Sequence, residues 1–295
     1  MKRFSALLAV LMLVVSFPFA VQAEDTEAPH YTLPIDFSAG MPIDQKYYIS
    51  ETVYEDPTLK VAITTGDSNG VLYWIADIEI QDPSQLRTLA AEGFDSTGTE
   101  YGHVLAKRVN AVLAVDGDFY CYSRGVPLTI RQGRTYQNKL GSMRGHDILL
   151  IDEDGDFHCL ENPTEKKVNN LLKSKKIINA FYFGPILVKD GEMCTSMNTS
   201  IKNNQYSQRV AIAQTGHLKY RVIVTGPHKR GSKAFRFDEW KKFVADMDDI
   251  QNAYNLDGGD SAVLVFNNKK INDPQNDNER PLADIIYFAS AWPGE

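Results

Sequence analysis

Residues 253–265 read AYNLDGGDSAVLV. An apolar entry, Tyr254-Asn255-Leu256, runs into Asp257-Gly258-Gly259-Asp260-Ser261, and Ala262-Val263-Leu264-Val265 follows at once. Two adjacent glycines between strand-like runs mark a tight turn or a close approach of backbone to another group. The carboxylates around them load the turn chemically. Gly-Gly amides suit an oxyanion or phosphate, while Asp257 and Asp260 suit proton transfer or a cation. Asp-Gly is also a common hairpin signal, so an acidic hairpin turn is the competing reading.

A second carboxylate-glycine-carboxylate turn lies upstream. Thr99–Asn110 carries Tyr101, Val104, Leu105 and Val109 at helical spacing. It feeds an apolar strand, Ala111–Val115, and then Asp116-Gly117-Asp118. The strand before each Asp-Gly turn is expected to bring residues 116–118 and 257–260 to one edge of a sheet, where ligand sites form.

Outward from these turns the chain alternates strands and turn signals. Lys46–Val53, Leu59–Thr64 and Val71–Ile80 read as an antiparallel meander, with the turn at Gly66–Gly70. Asp82-Pro83-Ser84 reads as the cap of a short helix through Leu89. Strands follow at Val126–Arg131, His146–Asp152 and Phe157–Leu160, then a basic helix or linker at Val168–Lys176. Ala180–Leu187 is an apolar run broken by Gly184-Pro185, and Cys194–Tyr206 is a polar loop. Gln208–Ala213 pairs with Leu218–Val224, Phe237–Met247 is an amphipathic helix, and Asp284–Ala289 is the final strand. The fold class expected is mixed α/β: a single domain with a strand-rich, largely antiparallel core and helices near 99–110 and 237–248 packed on it. A lead-in and meander over 24–84 precede the main body at 85–295.

The chain has 295 residues, 43% hydrophobic and 23% charged, with a net charge of −7. No Lys/Arg cluster of the kind nucleic-acid binding needs is present, since Lys173–Lys176 and His228–Arg230 are short. Lys2-Arg3, the apolar Ala6–Ala20 with Pro18, and Val21-Gln22-Ala23 have the form of a secretory signal cleaved after Ala23. An uncleaved anchor helix is the alternative, against which the apolar run is short. Losing Lys2 and Arg3 takes the net charge from −7 to −9. The expected location is secreted or extracytoplasmic, with no transmembrane anchor after cleavage. Cys121, Cys159 and Cys194 are an odd number with no metal spacing. Two could pair, and buried free thiols are the favoured state. The acidic run Asp152–Asp156 resembles a calcium loop in composition but has Thr164 where an EF-hand needs Glu, so a hairpin turn is favoured.

Five segments in order resemble the phosphodiester glycosidase family: AVLAVDGDFY at 111–120, AFYFGPILVKDGE at 180–192, QRVAIAQTGHLKYRVIVTGP at 208–227, AYNLDGGDSAVLVFNNKKIN at 253–272 and ERPLADIIYF at 279–288. The resemblance spans roughly residues 85–290. It implies hydrolysis of a sugar-1-phosphodiester at the glycosidic bond, releasing a sugar and leaving a phosphomonoester. Arg209 is then the expected phosphate clamp, because guanidinium meets phosphate oxygens in bidentate fashion. Gly258 and Gly259 would present backbone donors, with Ser261 and Gly117 also at the substrate. Asp257 and Asp118 are the first candidates for the catalytic carboxylates, followed by Asp116 and Asp260, with roles among the four unassigned.

The chain departs from the family pattern in four places. Asp116 stands where relatives carry Asn, Asp260 replaces a third glycine, Val224-Thr225-Gly226-Pro227 replaces Val-Asp-Gly-Arg, and the Ser-x-Gly segment that follows in relatives is matched at best by Gly231-Ser232-Lys233-Ala234. The extra carboxylates invite a divalent cation, calcium or magnesium, with Asp257 and Asp260 as candidate ligands. Two further readings stand beside the hydrolase. One is an inactive carbohydrate- or calcium-binding module on the same fold. The other is a structural envelope protein without a concave acidic pocket. The partner expected is a glycan or sugar-phosphate.

Overall fold

The computed structural model describes residues 29–118, 126–143, 145–195, 205–227, 233–274 and 279–294. The signal-like segment, Cys121 and most of the polar loop before Tyr206 therefore lie outside the described residues. In chain order the strands are β1 (Val53–Glu55), β2 (Leu59–Ser68), β3 (Val71–Ile80), β4 (Leu86–Ala90), β5 (Ala111–Asp116), β6 (Leu128–Arg131), β7 (Arg134–Asn138), β8 (Ile148–Asp152) and β9 (Phe157–Leu160). They continue with β10 (Ile177–Phe181), β11 (Ile186–Lys189), β12 (Glu192–Met193), β13 (Val210–Gly216), β14 (Lys219–Thr225), β15 (Asn252–Asn255), β16 (Leu264–Phe266), β17 (Lys269–Lys270) and β18 (Asp284–Ala289). The helices are α1 (Gly102–Arg108), α2 (Glu165–Ser174) and α3 (Phe237–Ala245).

The strands form three sheets. The largest runs β1-β2-β3-β14-β13-β15-β11-β12, and the two five-stranded sheets run β7-β6-β10-β8-β9 and β17-β16-β5-β18-β4. Every strand pairing among the described residues is antiparallel. The meander β1–β3 extends the large sheet through the pairing of β3 with β14. The expected mixed α/β, strand-rich antiparallel architecture is what the chain adopts.

The core lies between the large sheet and the two smaller ones. Val61, Ile78, Val222 and Tyr254 from the large sheet meet Val115, Leu264 and Phe288 of one small sheet and Leu149 and Phe181 of the other. Each helix covers an outer face. Leu105, Ala106 and Val109 of the α1 region pack on Ala114, Val265 and Ile285. Phe237, Trp240 and Val244 recur at helical spacing and bury against Ala211, Ala213 and Ala253 on the outside of the large sheet. Val168 seats α2 on the third sheet.

Several local expectations are corrected by partners that the sequence does not display. Asp82 caps only the short 3-10 turn Pro83–Gln85, where its Oδ1 accepts from the Ser84 amide at 2.9 Å. The chain then becomes strand rather than helix, because Leu86–Ala90 is wholly buried alongside β18. Asp44 likewise caps a 3-10 turn at Gln45–Tyr47, so strand starts only at Val53 instead of Lys46. The β2–β3 turn is two residues rather than five. Asn69 and Gly70 take φ of 55° and 88°, the left-handed pair a tight hairpin requires, and Ser68 still pairs with Val71. At Gly184-Pro185, a cis bond, the chain leaves one sheet at Phe181 and enters another at Ile186.

Candidate active site

The buried strand β5 ends on Asp116, and β18 begins beside it, with Ile285 opposite Asp116. The segment after β15 arrives from the large sheet. Its entry is fixed by Asn255, whose side chain accepts from Trp240 Nε1 at 3.0 Å and donates to the Gly184 carbonyl at 3.0 Å. The Asp257 amide then donates to the Gly117 carbonyl at 3.3 Å, and the Gly117 amide donates to the Asp284 carbonyl at 3.2 Å. The two Asp-Gly turns therefore meet across the seam between two sheets, not along one sheet edge, because β5 and β15 belong to different sheets.

A cavity of about 230 Å³ opens at this junction, walled by Thr99, Asp116, Asp257, Ser261, Arg280 and Asp284, with Gly117 also on its surface. Gly117 is needed there: a Cβ at this position would sit 2.5 Å from the Asp284 carboxylate.

Asp116 is about 1% exposed. Its Oδ1 accepts from the Val263 amide at 3.0 Å, and its Oδ2 is buried without a hydrogen-bond partner. Burial, reinforced by the neighbouring Asp257 and Asp284 charges, pushes this carboxyl well above the usual range and favours its protonated form. Asp257 is half-buried, and burial raises it too. The Ser261 hydroxyl, the Gly258 amide at 2.9 Å and the Arg280 charge oppose that rise by stabilising the carboxylate. Asp284 is buried, and burial with Asp118 and Asp257 nearby raises its carboxyl well above the ordinary value.

The other expected site residues are placed differently. Asp118 does not line the cavity. Its oxygens accept from Arg131 Nη2 and from the Tyr182 amide at 3.0 Å, making it a buried structural ion pair. Asp260 is exposed within the 3-10 turn Gly259–Ser261 and is not on the cavity wall. The Gly258 amide is occupied by the Asp257 side chain, and the Gly259 amide donates to the Gln208 carbonyl at 3.0 Å. The glycine pair thus serves packing: a Cβ on Gly258 would lie 2.6 Å from the Gln208 oxygen, and Gly259 takes φ of 60°. Arg209 points to the opposite face of the large sheet, where it stacks over Phe237 at 5.1 Å and donates to the Gln205 carbonyl at 2.7 Å. Burial lowers its guanidinium to about 10.

Arg280, Asp284 and Thr99 on the cavity wall, and Arg131 behind it, were not singled out from the sequence. Arg280 and Asp284 are the Arg and the Asp of the ERPLADIIYF segment, which carries the family resemblance without assigning them a role. Thr225, in the segment that replaces Val-Asp-Gly-Arg, accepts from the Arg209 amide at 2.8 Å and lies off the cavity. The acidic run Asp152–Asp156 forms the β8–β9 turn, with Asp152 accepting from the amides of Asp154 and Asp156, each at 3.0 Å. Among the described residues no three His, Cys, Asp or Glu side chains converge as a metal-ligand set.

No described helix is long and apolar enough to cross a membrane. Cys159 and Cys194 are free, buried thiols.

A carboxyl raised by burial, a second one beside a hydroxyl and within the field of an arginine, and a small cavity are the ingredients of acid-base chemistry. The fold has known counterparts. The catalytic domain of zebrafish N-acetylglucosamine-1-phosphodiester alpha-N-acetylglucosaminidase, auto-inhibited by its pro-peptide, superposes with a TM-score of 0.64 at 18% identity, covering 80% of this chain and 85% of that one. A hypothetical protein from Synechocystis gives 0.55 at 13% identity, covering 81% of this chain and 64% of its own. In sequence, the SPbeta prophage-derived uncharacterized protein YomE of Bacillus subtilis (strain 168) is 29% identical over 201 residues, 66% of this chain. The chain spans only 30% of that relative's length. A sequence model of the phosphodiester glycosidase family matches residues 109–289, more than half of the chain and including every wall residue of the cavity except Thr99. The chain belongs to the phosphodiester glycosidase family.

Proposed function

We propose that this protein is an exported hydrolase that cleaves the glycosidic bond of a sugar-1-phosphodiester in a phosphate-linked glycan or exopolysaccharide. The observation that carries the reading is the sharing of one cavity by Asp116, Asp257 and Arg280. Arg280 meets the substrate phosphate, replacing the role first expected of Arg209. Asp116 gives its proton to the oxygen leaving with the phosphate. Asp257 takes a proton from the water that attacks the anomeric carbon, and the products are free sugar and a phosphomonoester. The support for this division of labour is electrostatic: burial raises Asp116 well above its ordinary value, while the rise that burial gives Asp257 is opposed by Ser261, Gly258 and Arg280.

Export rests on the signal-like residues 1–23. In the metal-dependent form of the same proposal Asp257 would hold a calcium or magnesium ion, which would supply positive charge for the phosphate; Asp260, the other candidate ligand, lies off the cavity wall. A second reading, a glycan-binding module without turnover, draws on the occupied Gly258 and Gly259 amides, which leave anion recognition to Arg280. The test is incubation with an N-acetylglucosamine-1-phosphodiester and a panel of other sugar-1-phosphodiesters, with and without calcium or magnesium. Release of free sugar supports the hydrolase. Saturable binding with no release favours the binding module.

A further inference from the structure

A second, larger cavity of about 620 Å³ lies on the other face of the large sheet, between the β2–β3 hairpin tip, α3 and the run 233–235. Its floor is aromatic and apolar. Phe235 and Phe243 pack at a tilt of 37° with ring centroids 5.0 Å apart, Tyr73 supports Phe243 at 5.2 Å, and Val71 completes the base. Tyr206 stands at its edge, 40% exposed, with the Arg236 guanidinium 4.8 Å over its ring. The rim is polar and carries charges of both signs. Lys233 and Lys242 are matched by Glu239 and Asp246, and Lys242 pairs with Asp246 at 2.7 Å.

We infer that this cleft binds a neutral oligosaccharide. Flat aromatic rings receive the C–H faces of sugars, and a rim of mixed carboxylates, ammonium groups and the Asn69 amide supplies donors and acceptors for hydroxyls. The carboxylates of Glu239 and Asp246 on the rim disfavour a polyanion. The volume lies within the ~300–1,000 Å³ typical of small-ligand clefts. A short run of chain joins the edge of the cleft to the Gly258-Gly259 turn. Tyr206 leads to Ser207, whose amide donates to the Phe235 carbonyl at 3.4 Å and whose Oγ lies 3.2 Å from where a Cβ on Gly259 would stand. Gln208 follows and its carbonyl holds the Gly259 amide at 3.0 Å. Sugar binding in the cleft does not rest on the hydrolase proposal.

The test is calorimetric titration of the purified protein with neutral tetrasaccharides of N-acetylglucosamine and of glucose, beside a sulfated tetrasaccharide. Wild type is expected to bind at least one neutral sugar and not the sulfated one. Tyr206→Ala, at a half-exposed position the fold tolerates, is expected to weaken binding by about fivefold or more. Lys242→Ala/Asp246→Ala is the second variant and removes the rim pair without touching the floor, so it too weakens binding. Absence of binding to both neutral sugars, preference for the sulfated one, or affinities unchanged in both variants overturns the inference. Turnover of a short sugar-1-phosphodiester without tetrasaccharide binding sinks the cleft alone. Tetrasaccharide binding without any turnover sinks the hydrolase alone.

Discussion

The amide of Asp257 donates to the carbonyl of Gly117 at 3.3 Å, and this bond joins the ends of strands from two different sheets. It brings a half-buried carboxylate to the same cavity as the fully buried Asp116. The difference in burial between these acids is the source of their different chemistry, and most of the consequences below follow from it.

Asp116→Asn keeps an oxygen to accept from the Val263 amide, so the fold is retained, but it removes the proton donor. Sugar release is expected to fall by about 10²- to 10⁴-fold. Steady-state kcat on a sugar-1-phosphodiester reads this, with circular dichroism as the control for folding.

The same substitution has a signed effect on stability. The folded Asp116 carboxyl titrates well above its ordinary 3.8, so the unfolded chain ionises first as pH rises. Its stabilising contribution is therefore complete below pH 3.8 and is lost as pH climbs toward the folded value. Asp116→Asn has no such loss. Thermal melts are expected to show the variant gaining on wild type between pH 3.5 and pH 7, whereas a constant difference would mean that Asp116 is ionised in the fold.

Arg280→Ala removes a charge from the wall of the cavity. Loss of a charge-assisted phosphate contact is expected to cost about 1.5–3 kcal/mol in kcat/KM, or roughly 10- to 150-fold. Because Arg280 also favours the ionised form of Asp257, the acidic limb of the pH-rate profile moves to higher pH. Arg209→Met is the contrast: its guanidinium lies over Phe237, so KM is expected to stay within about twofold of wild type.

Arg131→Met leaves Asp118 and Asp284 buried without their cation. Breaking such a pair from one side costs about 3–5 kcal/mol, and urea denaturation should show it. Adding Asp118→Asn to Arg131→Met is expected to recover part of the loss.

Gly258→Ala introduces a Cβ 2.6 Å from the Gln208 carbonyl oxygen, which is backbone and cannot rotate away. A loss of about 1–3 kcal/mol is expected. Gly191→Ala, with nothing within 4 Å of its Cβ, separates crowding from backbone strain: its φ of 80° carries strain alone.

Much of this arrangement was legible in the chain. The apolar runs before Asp116 and Asp257 announced buried strands, and the helical spacing of Trp240 and Val244 announced α3. Leu86–Ala90 was not legible as strand, because Asp82-Pro83-Ser84 is a sound cap whether one turn follows or three, and only the pairing with β18 decides. β7 was missed because Arg134–Asn138 is a polar, mostly exposed edge strand with no alternation to read. The position of Arg209 was ambiguous for a different reason. Strand alternation places it on the face of Ala211 and Ala213, but which face carries the site depends on where α3 packs. Asp118 and Asp116 are two residues apart and look equivalent in sequence; Arg131, which separates their roles, is brought in by a different sheet.

The most direct measurement is hydrolysis of a sugar-1-phosphodiester in ¹⁸O-labelled water, with mass analysis of both products. Attack at the anomeric carbon with Asp257 as base puts the label on the released sugar, and Asp257→Asn should abolish release. Label in the phosphate product, or undiminished release by Asp257→Asn, would contradict glycosidic cleavage at this cavity.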